Sequence, residues 1–138
     1  MSRRNLFITK NDFKRLQEIL DGSVVIHARD RGDLSALTEE MKRATIVEAH
    51  DIPDKVVTMN TKLRLVDMDT KKSLEMTVVF PQDADVDTGK ISVISPVGTA
   101  VLGYSEGDAV EWEVPAGKRH LLIESVIYQP EAAGDFNV

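Results

Sequence analysis

At 138 residues, the chain has room for one domain, or one domain with an appendage, and its 42% hydrophobic content is enough for a real core. Cysteine is absent, which excludes disulfides, thiolate metal sites and cysteine nucleophiles. The net charge of −6 argues against free nucleic acid as the primary partner and suits either plain solubility or docking on another protein. No window approaches the roughly 18 apolar residues of a membrane span. The first ten residues carry Arg3 and Arg4 with no apolar run behind them, so no signal peptide is expected, and the whole pattern fits a reducing cytoplasm.

Residues 5–9 (NLFIT) form a short apolar segment. Thr9 is placed to cap a helix, with Asp12 three residues on as a capping-box-like partner. Phe13, Leu16 and Leu20 recur at helical spacing with Ile19 beside them, and Asp21 followed by Gly22 stops the run. After a loop over 23–32, Asp33 can cap a second helix whose Leu34, Leu37, Met41, Ala44 and Glu48 fall at 3,4,3,4 spacing. The pattern predicts a short antiparallel helical hairpin of coiled-coil type over 1–51, its helices spanning roughly 18 and 24 Å. Two amphipathic helices lying flat on the rest of the protein are the alternative.

Ile52-Pro53-Asp54 breaks the helix and opens a second unit over 52–138. Strands are expected at 56–60, around Leu63 and Leu65, and at Leu74, Met76, Val78 and Phe80, where apolar residues alternate. A polar turn at 67–72 and an acidic loop at 82–88 (QDADVDT) separate them. Ile91, Val93 and Ile94-Ser95 read as a strand stopped by Pro96. A very short helix then runs over 97–102, closed by Gly103. Val110, Trp112 and Val114 alternate as a half-buried strand, with Trp112 read as core. The last strand, 120–128, is expected to place Leu122, Glu124, Val126 and Tyr128 on one face and Leu121, Ile123 and Ile127 near the other. The sum is an α+β chain: a helical hairpin, then an antiparallel sheet of five or six strands wrapped on one short helix.

Three stretches carry a resemblance. GKISVISPVGTAVLG (89–103) followed by Gly107-Asp108 resembles the C-terminal domain of the Gre transcript-cleavage factors, which bind bacterial RNA polymerase. VVTMNTKLRL (56–65) and YQPEAAGDF (128–136) are similar to the Rnk-type regulators of nucleoside diphosphate kinase, and the likeness covers 52 to the end of the chain. The resemblance implies an FKBP-like fold for 52–138. It also implies a partner, RNA polymerase at the rim of its secondary channel, where the chain would compete with Gre-type factors as a monomer. By position it implies that Ser95 and Pro96 lie in the polymerase-docking loop. Ile94 departs from the small polar or acidic residue common there. As an apolar residue it could bury area at an interface or simply fill the core, and Pro96 could be only a first-turn proline. Asp85 also matches the family. The role of the QPEAAGD tail is open between folding back on the sheet and extending toward a partner.

In Gre factors, acidic residues at the hairpin tip help hold a catalytic magnesium ion of the polymerase. Here the tip is ARDRGDL (28–34), with Arg29, Asp30, Arg31 and Asp33. Carboxylates are suitable hard ligands, but Asp21 and Asp33 also serve as helix caps, and Arg29 and Arg31 would offset the charge. The usual tip motif is missing and the arm is short, so strong stimulation of RNA cleavage is not expected; a true cleavage factor using Asp30 and Asp33 is the alternative. Asp83, Asp85 and Asp87 have the opening spacing of a calcium loop, yet Thr88 and Ile94 stand where glycine and glutamate are required. His27, His50 and His120 lack ligand spacing, and no phosphate-binding glycine cluster or nucleophile elbow is present. No cofactor and no catalytic activity are expected. A peptidyl-prolyl isomerase of FKBP type would need an aromatic-lined pocket, which seven scattered aromatic residues furnish poorly.

Overall fold

The computed structural model describes residues 6–21, 35–114 and 117–134. The expected tip residues Arg29, Asp30, Arg31 and Asp33, together with Leu34, Phe136 and the side chains of Pro96 and Trp112, lie outside that description.

Strand β1 (Phe7–Thr9) runs directly into helix α1 (Lys10–Leu20). Thr9 caps it as its chemistry requires: extended backbone, with its hydroxyl oxygen accepting the Asp12 N–H at 3.2 Å. Helix α2 (Ser35–Arg43) is shorter than its apolar spacing suggests. The seam does not continue through Ala44 to Glu48, because Thr45–Val47 is a strand, β2, paired in parallel with β1. The Thr45 N–H donates to the Leu6 carbonyl at 2.8 Å. Three consecutive β-branched residues explain the switch, since they lose rotamer freedom in a helix and fit a pleated strand. Leu16, Ile19, Leu37 and Met41 are all buried, in the same cluster as Met59, Val97 and Leu102. The described parts of both helices therefore pack on the body.

The body is a five-stranded sheet in the order β5-β4-β3-β7-β6, formed by β3 (Lys62–Asp67), β4 (Ser73–Val79), β5 (Lys90–Ser92), β6 (Ala109–Val114) and β7 (Gly117–Tyr128). All pairs are antiparallel except β4 with β5. Helix α3 (Pro96–Val101) crosses from β5 to β6, and helix α4 (Pro130–Ala133) follows β7. Leu63, Leu65, Met76, Val78, Leu121, Ile123 and Val126 fill the inner face. On the outer face Glu75 pairs with Arg64 and lies 3.8 Å from Lys62, and Arg64 lies 3.6 Å from Glu124. These exposed pairs add little stability, but they keep that face in water.

Two expectations change here. Strict alternation along β7 would put Val126 with Leu122 on the outer face. The register against β3 slips twice, skipping Ile127 and Glu124, and the bulge at Glu124 turns Val126 inward beside Leu63. The expected strand at 56–60 does not form. Its sole ladder contact is an isolated bridge from Val56 to Ser105. Asn60 adopts φ 66, in the left-handed region, and the Thr61 N–H closes a turn onto the Thr58 carbonyl at 3.1 Å. Val56, Val57, Thr58, Met59 and Thr61 are nevertheless buried.

Helix α3 lies very close to β5, and Gly98 makes this possible. A Cβ at Gly98 would sit 2.2 Å from the Ser92 carbonyl oxygen and 3.0 Å from the Val93 Cα. Both are backbone atoms that cannot swing aside. Glycine to alanine within a helix ordinarily stabilises by about 1 kcal/mol; Gly98→Ala should do the reverse, with a net loss of about 1–3 kcal/mol in urea unfolding. An unchanged or raised midpoint would contradict this packing.

Candidate functional site

The turn between β5 and α3 is built from short polar side chains and a proline. The Ser92 carbonyl accepts both the Ser95 N–H at 3.0 Å and the Ser95 hydroxyl at 2.7 Å. Ser95 in turn caps α3, its oxygen accepting the Gly98 N–H at 3.1 Å, and Pro96 occupies the first turn, where a missing N–H costs nothing. The Ser92 hydroxyl oxygen accepts the Ile94 N–H at 3.2 Å, and the buried Thr99 hydroxyl donates to the Val93 carbonyl at 2.7 Å. Every residue from 92 to 95 is thus tied by side-chain hydrogen bonds. Ser95 is half-buried and its hydroxyl both donates and accepts within the turn. Ile94 is also half-buried and packs on the core, so it shares its surface between the interior and the outside.

Asp85 lies at the other end of the same edge strand. Its N–H and carbonyl exchange two hydrogen bonds with Lys90, each 2.9 Å, and its carboxylate accepts the Asp87 N–H at 3.2 Å. Gly89, at φ 78, lets the chain turn back into β5. Lys90 opens the three-residue strand, and Ile94 lies two residues beyond its end. The structure therefore brings Asp85 and the 94–96 turn to one sheet edge. Beside Asp85 stands Val86, 78% exposed. The sequence reading passed over it; an apolar residue inside an otherwise acidic, polar loop was the available signal. Among the described residues no group of three or more His, Asp or Glu side chains is arranged to hold a metal ion.

A second cluster joins three segments far apart in sequence. The buried Asp12 carboxylate does not close a capping box on Thr9. It accepts the Met59 N–H at 3.1 Å instead. The Thr61 hydroxyl oxygen accepts the Thr58 N–H at 2.9 Å and lies 2.8 Å from the Thr58 hydroxyl, which donates to the Glu131 carboxylate at 2.7 Å. Gln129 is buried before α4. Its amide donates to the carbonyls of Pro53 at 2.8 Å and Val56 at 2.7 Å, while its oxygen accepts the Ala132 N–H at 3.1 Å. The described part of the tail folds back and closes the body. A further link ties α2 to the chain beyond α3: Arg43 donates to Glu40 at 2.7 Å and to the Tyr104 hydroxyl at 3.1 Å, and that hydroxyl donates to Glu40 at 3.2 Å.

Comparison with known proteins accounts for both halves of the chain. Residues 52–128 match the family model described as transcription elongation factor, GreA/GreB, C-terminal. Residues 4–47 match the Rnk N-terminus. The regulator of nucleoside diphosphate kinase from Escherichia coli (strain K12) is 33% identical over 137 residues, covering 99% of this chain and 98% of that protein. Transcription elongation factor GreA from Chlorobium phaeobacteroides (strain BS1) is 31% identical over 150 residues, covering 86% of this chain and 94% of that protein. Among solved structures, the prokaryotic transcription elongation factor GreA/GreB from Nitrosomonas europaea aligns with a TM-score of 0.68 at 35% identity, covering 91% of this chain and all of that one.

Gln129 offers the sharpest test of the tail. Gln129→Ala leaves the buried Val56 carbonyl without this donor, while the Pro53 carbonyl keeps the Val56 N–H at 3.2 Å, and one orphaned buried group costs about 1–3 kcal/mol. We expect a loss of about 1–3 kcal/mol in urea unfolding; a loss below about 0.5 kcal/mol would mean that the tail does not close the body.

Proposed function

We propose a function from one premise: this chain belongs to the family of the GreA/GreB transcription elongation factors and, within it, to the Rnk-type regulators. It acts as a transcription regulator. It binds bacterial RNA polymerase at the rim of the secondary channel as a cytoplasmic monomer, and there it competes with Gre-type factors. The role is regulatory, and relatives bear the names of regulators and elongation factors. The two family models meet between residues 47 and 52, which supports a division into an arm, 1–51, and a docking body, 52–138.

The observation that carries this reading is the shared sheet edge. A docking surface works best when its groups are held before the partner arrives, because ordering them on binding costs affinity. The hydrogen bonds of Ser92, Ser95 and Thr99 hold the 94–96 turn rigid, and the paired bonds between Asp85 and Lys90 do the same at the other end of β5. Ile94 and Val86 supply apolar contact area and Asp85 a charge. The arm directs its tip, with Arg29, Asp30, Arg31 and Asp33, toward the channel mouth. It does not by itself drive strong cleavage, since the tip lacks the acidic motif that such chemistry uses and its arginines offset its carboxylates.

Binding to core RNA polymerase in competition with a Gre factor tests the reading. The most useful variant is Ile94→Ser with Asp85→Asn, because Asn keeps the oxygen that caps Asp87 while removing the charge. We expect wild type to displace the Gre factor and the variant to bind at least about tenfold more weakly with its fold intact by circular dichroism. No displacement by wild type would sink the proposal. Equal displacement by both would move the docking surface elsewhere.

Backtracked transcription complexes test the arm. Transcript cleavage should rise little above the intrinsic rate on adding the protein. Robust cleavage that disappears in Asp30→Asn with Asp33→Asn would make the chain a cleavage factor instead.

A further inference from the structure

The docking reading leaves two buried carboxylates unused, Asp12 and Asp108, and Asp12 is the one that joins the first helix to the body. Asp12 stands in the first turn of α1, and only 5% of it is exposed. Burying a carboxylate is costly unless its charge is compensated. The cap that would justify an acid there is already supplied by Thr9. What Asp12 does is reach out of its own helix to the Met59 N–H, in a segment whose neighbouring residues are held by Thr58, Thr61, Glu131 and Gln129. The first helix of the arm is thus fastened to the body, at its root, through an ionisable side chain.

We propose that Asp12 is a proton-controlled latch: its neutral form holds α1 firmly against the body, and its ionised form loosens the root of the arm. The groups that face it come from three elements. Its own helix and cap bring Arg15, whose guanidinium also lies 4.0 Å from the centre of the Phe80 ring, and the Thr9 hydroxyl. The 56–61 segment brings the Met59 N–H, and α4 brings the Glu131 carboxylate. Burial is the largest influence and pushes the carboxyl group up to about 6; the Met59 N–H opposes it, Glu131 adds to it, and Arg15 and Thr9 pull it back.

The direction follows from linkage. A carboxyl group whose folded value is raised gives stability that is fully present below its unfolded value and lost as pH rises through the folded one. The latch is therefore tighter at pH 5 than at pH 8. Asp67 and Glu75 have the opposite sign, because hydrogen bonds and Arg64 hold them below the ordinary carboxylate range. Their contribution is lost only under more acidic conditions, so it does not mask the change between pH 5 and 8.

Amide hydrogen exchange of the full chain, corrected for the intrinsic pH dependence, tests the latch at Met59 and along α1. Wild type should open about tenfold less readily at pH 5 than at pH 8, and Asp12→Asn, a neutral side chain of the same shape, should lose that dependence. A second readout needs no variant. The Asp12 carboxyl carbon followed by NMR in wild type should titrate with a midpoint near 6. A midpoint in the ordinary carboxylate range, or a pH dependence unchanged in Asp12→Asn, would overturn the proposal. Neither experiment involves polymerase, so the latch stands or falls separately from the docking reading.

Discussion

The fold depends on how a buried stretch without regular secondary structure satisfies its own backbone. Residues 56–61 are buried except for the half-buried Asn60, and a buried N–H or carbonyl without a partner costs as much as a lost hydrogen bond. A strand would meet this demand through its neighbours, but the left-handed turn at Asn60 prevents one. Partners must come from elsewhere. Val57 exchanges backbone bonds with Gly103 and Tyr104, Asn60 and Thr61 bond to Val78, Asp12 takes the Met59 N–H, and Gln129 covers the Pro53 and Val56 carbonyls. Both ends of the described chain are drawn onto one segment as a result.

That requirement links the β5 edge to the interior. The glycine and tyrosine that bond Val57 lie directly after α3, and α3 is the helix that Ser95 caps. Gly103 also accepts the Phe7 N–H at 3.0 Å, so the same corner holds β1, from which α1 starts. The edge that carries Asp85 and the 94–96 turn is thus rigid by construction, its side-chain hydrogen bonds spent internally. What remains outward there is apolar surface from Ile94 and Val86 and the charge of Asp85, the groups on which the docking proposal rests.

Motifs built on local geometry were legible in the sequence. Thr9 as a cap, Pro96 in a first turn and Gly103 as a terminator each depend on neighbours a few residues away, and each is found where the pattern places it; of the alternating Leu74, Met76, Val78 and Phe80 the last three are buried, while Leu74 is exposed and Val79 is buried between them. The residues of the proposed docking edge were legible only in part. Ser95 and Asp85 were singled out, but their engagement as caps was visible for neither, and Val86 was missed because exposure is a property of the folded surface. The second helix shows a conflict between two local signals. Its 3,4 spacing continued past Arg43, and the β-branched Thr45, Ile46 and Val47 overrode it because β1 was there to pair with them.

The sequence by itself determined the class of fold, the strand-turn-helix unit around Pro96 and the family, because these rest on local spacing and on long shared motifs. Only the tertiary structure decided that Val126 turns inward, that 56–60 is not a strand, and that Asp12, Thr58, Gln129 and Glu131 meet. The reason is physical in each case. A bulge changes which face a side chain takes without changing its sequence period, and a buried polar group reveals its partner only when segments more than forty residues apart come together.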